Sequence, residues 1–188
     1  MYKFDRNYTS AGMSGMTGKS NMPGMTGMTG IPAMSGASAD MPRRIYPPAQ
    51  IPGRISDYGP NPFVVNINKA TTHNETFRTA LWTGSHLQLT LMSIPAGESI
   101  GLEAHPNVDQ FLRIEEGHGL VQMGNSKDNL YFMQPAFEDY AIFIPAGTWH
   151  NLTNTGNKPI KLYSIYAPPD HPWGTVHQTK AIAEKMGD

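Results

Sequence analysis

Cysteine is absent from this chain of 188 residues. Its absence removes disulfides, thiolate metal ligands and cysteine nucleophiles together, and it suits a reducing compartment. Also missing is any apolar run approaching the roughly 20 residues of a membrane span, and the N-terminus carries no apolar signal-peptide core. Charge of one sign is lacking as well: Lys plus Arg number 14 and Asp plus Glu number 15. So balanced a chain gives no electrostatic reason to expect nucleic acid or an anionic membrane as partner. The expectation is a soluble protein made in the cytoplasm.

Abundant instead are 19 glycines, 16 prolines and 12 methionines. Their distribution divides the chain. Within residues 1–40, a three-residue register runs unbroken from Gly12 to Ser38, with a small residue first, Met often second (Met13, Met16, Met22, Met25, Met28, Met34) and mostly a hydroxyl residue third. Such a period with glycine in one column resembles a collagen-like or polyproline segment, yet Asn21 and Ala33 interrupt the glycines and only Pro23 and Pro32 stiffen the run. Two readings stand: a tail too poor in bulky residues to bury a core, and an adhesive arm in which exposed Met adapts to a surface. Residues 41–62 form a second, proline-rich segment, expected to run extended with Ile45, Tyr46, Ile51 and Ile55 as anchors.

From Phe63 onward, short segments recur at turn spacing: 63–68, 86–94, 99–105, 110–115, 118–123, 129–134, 140–144, 149–154 and 160–166. Strands this short, without intervening helices, predict a sandwich or barrel over residues 63–170. Thr72-His-Asn-Glu75 reads as a capping box opening a helix through Leu81. A second short helix is predicted over 179–186, inside a C-terminal segment of residues 171–188.

Two segments could carry chemistry. Glu103 and His105 stand two apart on a predicted strand and so share a face. Gln110 opens the next strand, and His150 follows the tight Pro145-Ala-Gly147 turn. Imidazole, carboxylate and amide oxygen together suit one borderline divalent ion such as Mn, Fe, Ni or Zn.

These segments resemble the two motifs of the cupin superfamily. The first family motif reads Gly, His-X-His, Glu, Gly; here it is Gly97, Glu103-X-His105, Gln110 and Gly117. The second, Pro-X-Gly-X-X-His-X-X-X-Asn, is matched by Pro145, Gly147, His150 and Asn154, with Asp139 where the family often has a further Gly. The departures lie in the ligands: Glu103 replaces the first His, and Gln110 replaces the Glu, with Asp109 its rival at the shorter gap. One carboxylate therefore moves to another corner while the charge facing the metal is kept. The resemblance implies an all-β cupin jelly-roll (a double-stranded β-helix barrel) with a metal held by Glu103, His105, Gln110 and His150. It implies a metal-dependent small-molecule enzyme, a dioxygenase or a sugar-type isomerase, since many small cupins resemble mannose-6-phosphate isomerase. Glu103 or Tyr166 would transfer protons, and Leu112, Ile114, Tyr166, Trp173 and His177 would line the substrate pocket. His171 reads as a surface residue. Arg113, on outward parity, is the one basic residue near the motifs, which argues against a phosphosugar. The alternative is a structural protein of a spore coat or surface, the metal serving stability and the repeat driving assembly. A homodimer with the proline-rich arm crossing to the partner is expected, because open jelly rolls leave edges to be covered.

Overall fold

The structure, a computed structural model, describes residues 55–187. The methionine-rich repeat and the proline-rich arm as far as residue 54 lie outside the described residues.

The chain enters through a helix, α1 (Ile67–His73), followed by β1 (Arg78–Thr83), β2 (Gln88–Ile94), β3 (Asp109–Glu116), β4 (Gly119–Gly124), β5 (Phe132–Ala136), β6 (Ala141–Ile144), β7 (Trp149–Asn154), β8 (Ile160–Ala167) and β9 (Val176–His177). A last helix, α2 (Lys180–Met186), closes the described chain. All named strand pairs are antiparallel, in a sheet ordered β6-β3-β8-β2-β1-β9 and a smaller one ordered β5-β4-β7. The jelly roll expected from the sequence is the fold observed. Among the described residues no helix is long and apolar enough to cross a membrane.

Paired residues on antiparallel strands share a face, so the register lays out the barrel interior in layers. The layer at one end joins Gln88, Tyr166, Gln110 and Ile144. The next joins Ala80, Thr90, Ser164, Leu112 and Ile142. The third joins Arg78, Met92, Leu162 and Ile114, and the deepest Ile94 and Ile160. The interior thus grades from polar to wholly apolar along one axis. Its apolar end merges with Val121, Met123 and Leu152 of the smaller sheet into the main core.

Outside the large sheet, Ile55, Tyr58, Phe63, Val65 and Ile67 pack over Ala70, Leu81 and Leu91. This layer corrects the sequence reading. The segment 63–68 is not a strand, and Asn66 rather than Thr72 caps the helix, its side chain accepting from the Lys69 amide at 3.0 Å. Residues 78–83, expected to be helical, form β1. Covered on both faces, β1 is buried at four consecutive positions and shows none of the alternation that marks a half-exposed strand. The C-terminal helix falls where expected, from Lys180, with Gly187 left-handed just beyond its end.

The segment following β8 folds back over the polar end of the barrel as a strap, held by two buried polar residues. Gln88 accepts from the His171 amide and donates to the His171 carbonyl, each at 2.9 Å. It also accepts from the Asp170 amide at 3.3 Å and donates to Thr83 Oγ1 at 2.9 Å. Asp57 accepts from the amides of Gly59, Thr83 and Gly174 and from the Thr83 hydroxyl, tying the entering chain, β1 and the strap together.

A candidate metal centre at the polar end of the barrel

Glu103 and His150 exchange both main-chain hydrogen bonds, at 3.1 and 2.9 Å, across an isolated bridge between the segment after β2 and strand β7. Their side chains therefore leave the same face, and Glu103 Oε1 lies 3.4 Å from His150 Nε2. His105, two residues on, shares that face and brings its Nε2 to 3.4 Å from the same oxygen. The Gly147 amide donates to the His105 carbonyl at 2.8 Å, so the turn ahead of β7 is stitched to the first motif. Gly147 turns there at φ +76°, a conformation that favours glycine.

The other imidazole nitrogens are occupied. His150 Nδ1 is 2.9 Å from the Thr148 carbonyl, and His105 Nδ1 is 3.1 Å from Asp170 Oδ2 on the strap. Those partners direct both Nε2 atoms inward. Gln110 sits on β3 in the same layer as Tyr166, its amide nitrogen donating to Ser164 Oγ at 3.1 Å. Asp109 faces away, exposed, accepting from the Ala146 amide at 2.9 Å. Glu103 Oε1, His105 Nε2, Gln110 Oε1 and His150 Nε2 are buried atoms with no hydrogen-bond partner among the described residues. Buried polar atoms without partners call for an ion, a water or a ligand, and Glu103, His105 and His150 form a group that could hold a metal ion. Separations of 3.4 Å are what two donors show when each lies about 2.1 Å from one tetrahedral centre. The donor set fits a divalent ion.

Electrostatics bind these groups together. Burial would raise the Glu103 carboxyl, but His105 and His150, aided by the charge of Arg78, outweigh it and hold it far below the usual carboxylate range. Burial works against a proton on His105, yet Asp170 and Glu103 push it up to about 9. Asp170 is lowered chiefly by its bond to His105. Tyr166 is raised by complete burial, so its phenol keeps its proton at neutral pH.

Of the predicted pocket residues, Tyr166 stands 5.7 Å from the His105 ring, edge-on. Leu112 and Ile114 line the interior, and His177 is buried. Trp173 does not line the pocket: it is 65% exposed, its indole donating outward to the Gly59 carbonyl at 3.1 Å. His171 is no surface residue; it is buried, 4.8 Å from the Tyr166 ring. Sequence reasoning missed Asp170, which offered only a proline-rich exit loop, and Arg78, hidden in β1. Asn154, the last residue of the second motif, is structural: its amide donates to the carbonyls of Ile94 and Lys158 and accepts from Gly156. Asp139 adopts φ +68°, the left-handed geometry that explains a family glycine there.

Barrel, motifs and converging donors define a cupin, and the comparisons agree. The cupin domain profile matches residues 90–166. The chain is 70% identical over 134 residues, 71% of its length and 72% of the relative's, to YrkC of Bacillus subtilis (strain 168), described as uncharacterized. It is 40% identical over 131 residues to the uncharacterized protein L612 of Acanthamoeba polyphaga mimivirus, covering 67% of this chain and 80% of that one. The crystal structure of BH2720 from Bacillus halodurans is similar at 69% identity and a TM-score of 0.69, over 70% of this chain and 99% of that one. The chain belongs to the cupin superfamily.

Proposed function

We propose that Glu103, His105 and His150, completed by Gln110, hold one divalent transition ion and that the chain is a metal-dependent enzyme acting on a small molecule, as a dioxygenase or a sugar-type isomerase. The observation that supports this reading is the convergence of three buried donor atoms, on Glu103, His105 and His150, with a further unpartnered oxygen buried on Gln110. Two imidazoles, a carboxylate and an amide oxygen suit Mn, Fe, Ni or Zn. When bound, such an ion supplies Lewis acidity toward an oxygen of the small molecule. Asp170 holds His105 with Nε2 inward, and Leu112 and Ile114 keep the space behind it dry. Glu103, lying between two histidines, is read as a ligand and not as a free base. The protonated phenol of Tyr166 is left as the group able to donate to a substrate oxygen.

Elemental analysis of purified protein tests the metal. The wild type should carry about one equivalent and a His105→Ala/His150→Ala variant should carry none; equal content would refute the assignment. Oxygen uptake separates the enzyme from a coat or surface protein that uses the ion for stability. Deleting residues 1–40 should leave an enzyme active and should abolish assembly of a coat protein.

We also propose a homodimer. Outside the barrel, the apolar layer begun by Ile55 and Tyr58 reaches Tyr163, and beyond it Phe111 and the 71% exposed Phe143 meet edge-on at 5.2 Å. The preceding proline-rich arm, with Ile45, Tyr46 and Ile51, has the composition to continue that layer on a second copy.

A further inference from the structure

The outer face of the large sheet is covered unevenly. Ile55, Tyr58, Phe63, Val65 and Ile67 lie over Leu81 of β1 and Leu91 of β2, and their layer ends at Tyr163 of β8. Beyond it, the outward residues of β3, β6 and the end of β8 form a separate surface. Phe111 pairs with Phe143 on one side and with Ile165 on the other, so the three side chains share one face. With Pro145 and Ala167 they line a groove of about 420 Å³, in which Asp109 is the one charged lining residue. Phe111 and Ile165 are half-buried, whereas Phe143 stands exposed on β6, the last strand of its sheet. An apolar groove that runs onto a sheet edge is a surface that proteins normally cover.

The ten residues that precede the described chain, 45–54, read Ile-Tyr-Pro-Pro-Ala-Gln-Ile-Pro-Gly-Arg. Their only charge, on Arg54, is opposite to that of Asp109. Pro47, Pro48 and Pro52 lack the amide donors of a sheet ladder, which weighs against strand addition along β6. Such a segment suits a polyproline helix, whose preformed backbone docks into aromatic-lined grooves at little ordering cost. Where the chain enters decides which copy's arm can use the groove. Ile55 lies beside Thr79 of β1 and Val176 of β9, at the opposite end of the sheet from β6. Three to four strand spacings, about 15–20 Å, separate the two places. Tyr58, Phe63, Val65 and α1 already occupy that stretch, so the chain's own arm would have to climb over them. The arm of a second copy meets no such obstacle, and a fully extended segment of this length reaches about 33 Å.

We propose that the groove is the seat of residues 45–52 of a second copy, exchanged reciprocally about a two-fold axis. The inference rests on the homodimer reading above and adds to it the receptor and the mode of docking. The arm's prolines pack on the rings of Phe111 and Phe143, and its isoleucines extend the contact over Ile165 and Ala167. Each copy gives one arm and receives another, so a single substitution in the groove is felt twice per dimer.

Because the chain has no cysteine, introduced cysteines are unique handles for cross-linking. Ala49→Cys marks the arm, and Ala167→Cys, at an exposed position on the groove, marks its seat. The two full-length variants, mixed, left to exchange subunits and treated with a short bis-maleimide, should give a covalent dimer that neither gives alone. Phe143→Asp should weaken dimerisation at least about tenfold in analytical ultracentrifugation, and Phe143→Tyr should preserve it. The exposure of Phe143 keeps the fold out of the comparison. A cross-link that closes within single chains of an Ala49→Cys/Ala167→Cys double variant would overturn the exchange. A dimer sensitive to Phe143→Asp but without the cross-link overturns the arm as occupant. A dimer indifferent to Phe143→Asp and without the cross-link overturns the groove and leaves the homodimer standing. A monomeric wild type overturns both.

Discussion

Replacing Gln88 with leucine perturbs the clamp between strap and barrel while nearly conserving volume, so that no sizeable cavity confuses the result. The side chain is fully buried and makes four hydrogen bonds, to the His171 amide and carbonyl, the Asp170 amide and the Thr83 hydroxyl. Each such bond contributes about 0.5–1.5 kcal/mol net, and the leucine leaves buried main-chain partners unsatisfied, so the expected loss is about 4 kcal/mol. Against a total of about 5–15 kcal/mol for an ordinary domain, that is a large fraction. Urea unfolding of metal-stripped wild type and Gln88→Leu, followed by tryptophan fluorescence, is the assay. With a slope of about 2 kcal/mol per molar, the midpoint should fall by about 2 M. Because the strap also carries Asp170, affinity for metal should fall in the same variant although no ligand has been touched. A midpoint shift under about 0.5 M at unchanged slope would refute the reasoning: the strap would then be held by something other than Gln88.

Asp170→Asn should weaken metal affinity about 10- to 100-fold in competition with a chelator, because the carboxylate that fixes His105 is gone, and near neutral pH the urea midpoint of the stripped protein should fall too, since the pair with His105 is lost. In the metal-free protein His105 is raised to about 9, so its stabilising contribution is complete below about pH 6.5 and is lost as pH rises through about 9. The urea midpoint should fall over that window and metal uptake should improve across it, since the ligand form is neutral; a midpoint flat from pH 6 to pH 9.5 would contradict the pairing with Asp170. Gln110→Glu should raise affinity for Mn relative to Zn by adding a hard oxygen, and an unchanged preference would remove position 110 from the ligand set. Light scattering should show a dimer for a chain starting at Met41 and a monomer for one starting at Ile55; a dimer from the shorter chain would move the contact to the bare face around Phe111 and Phe143. Cutting as far as Asn61 should instead unfold the protein, because it removes Asp57 and its four hydrogen bonds.

Legibility in the sequence followed exposure. Strand β7 has one face in the core and one in solvent, and its alternating burial is written in Trp149-His-Asn-Leu-Thr-Asn154. The candidate ligands were legible for the same reason, because spacing on such strands fixes which residues share a face. Gln110 and Asp109, one residue apart, point to opposite faces, which separates the two without further information. Strand β1 was illegible because it is covered on both sides, and with it went Arg78. Asp170 was hidden differently: it reaches His105 across 65 positions of chain, through a loop whose path is set by Gln88 and Asp57. No local pattern encodes such a path.

The paired main-chain bonds between Glu103 and His150, that from Gly147 to the carbonyl of His105, and the pairing of Gln110 on β3 with β6 and β8 fix where each donor side chain is mounted independently of what that side chain is. The corners of the centre behave as addresses held by the peptide backbone, and residue types are tenants. A glutamate can occupy the address where cupins usually place a histidine, and a glutamine the address of their glutamate, without the scaffold having to refold. Drift between metals or between reactions could then proceed by single substitutions at these four addresses, each tolerated structurally before it is tested chemically.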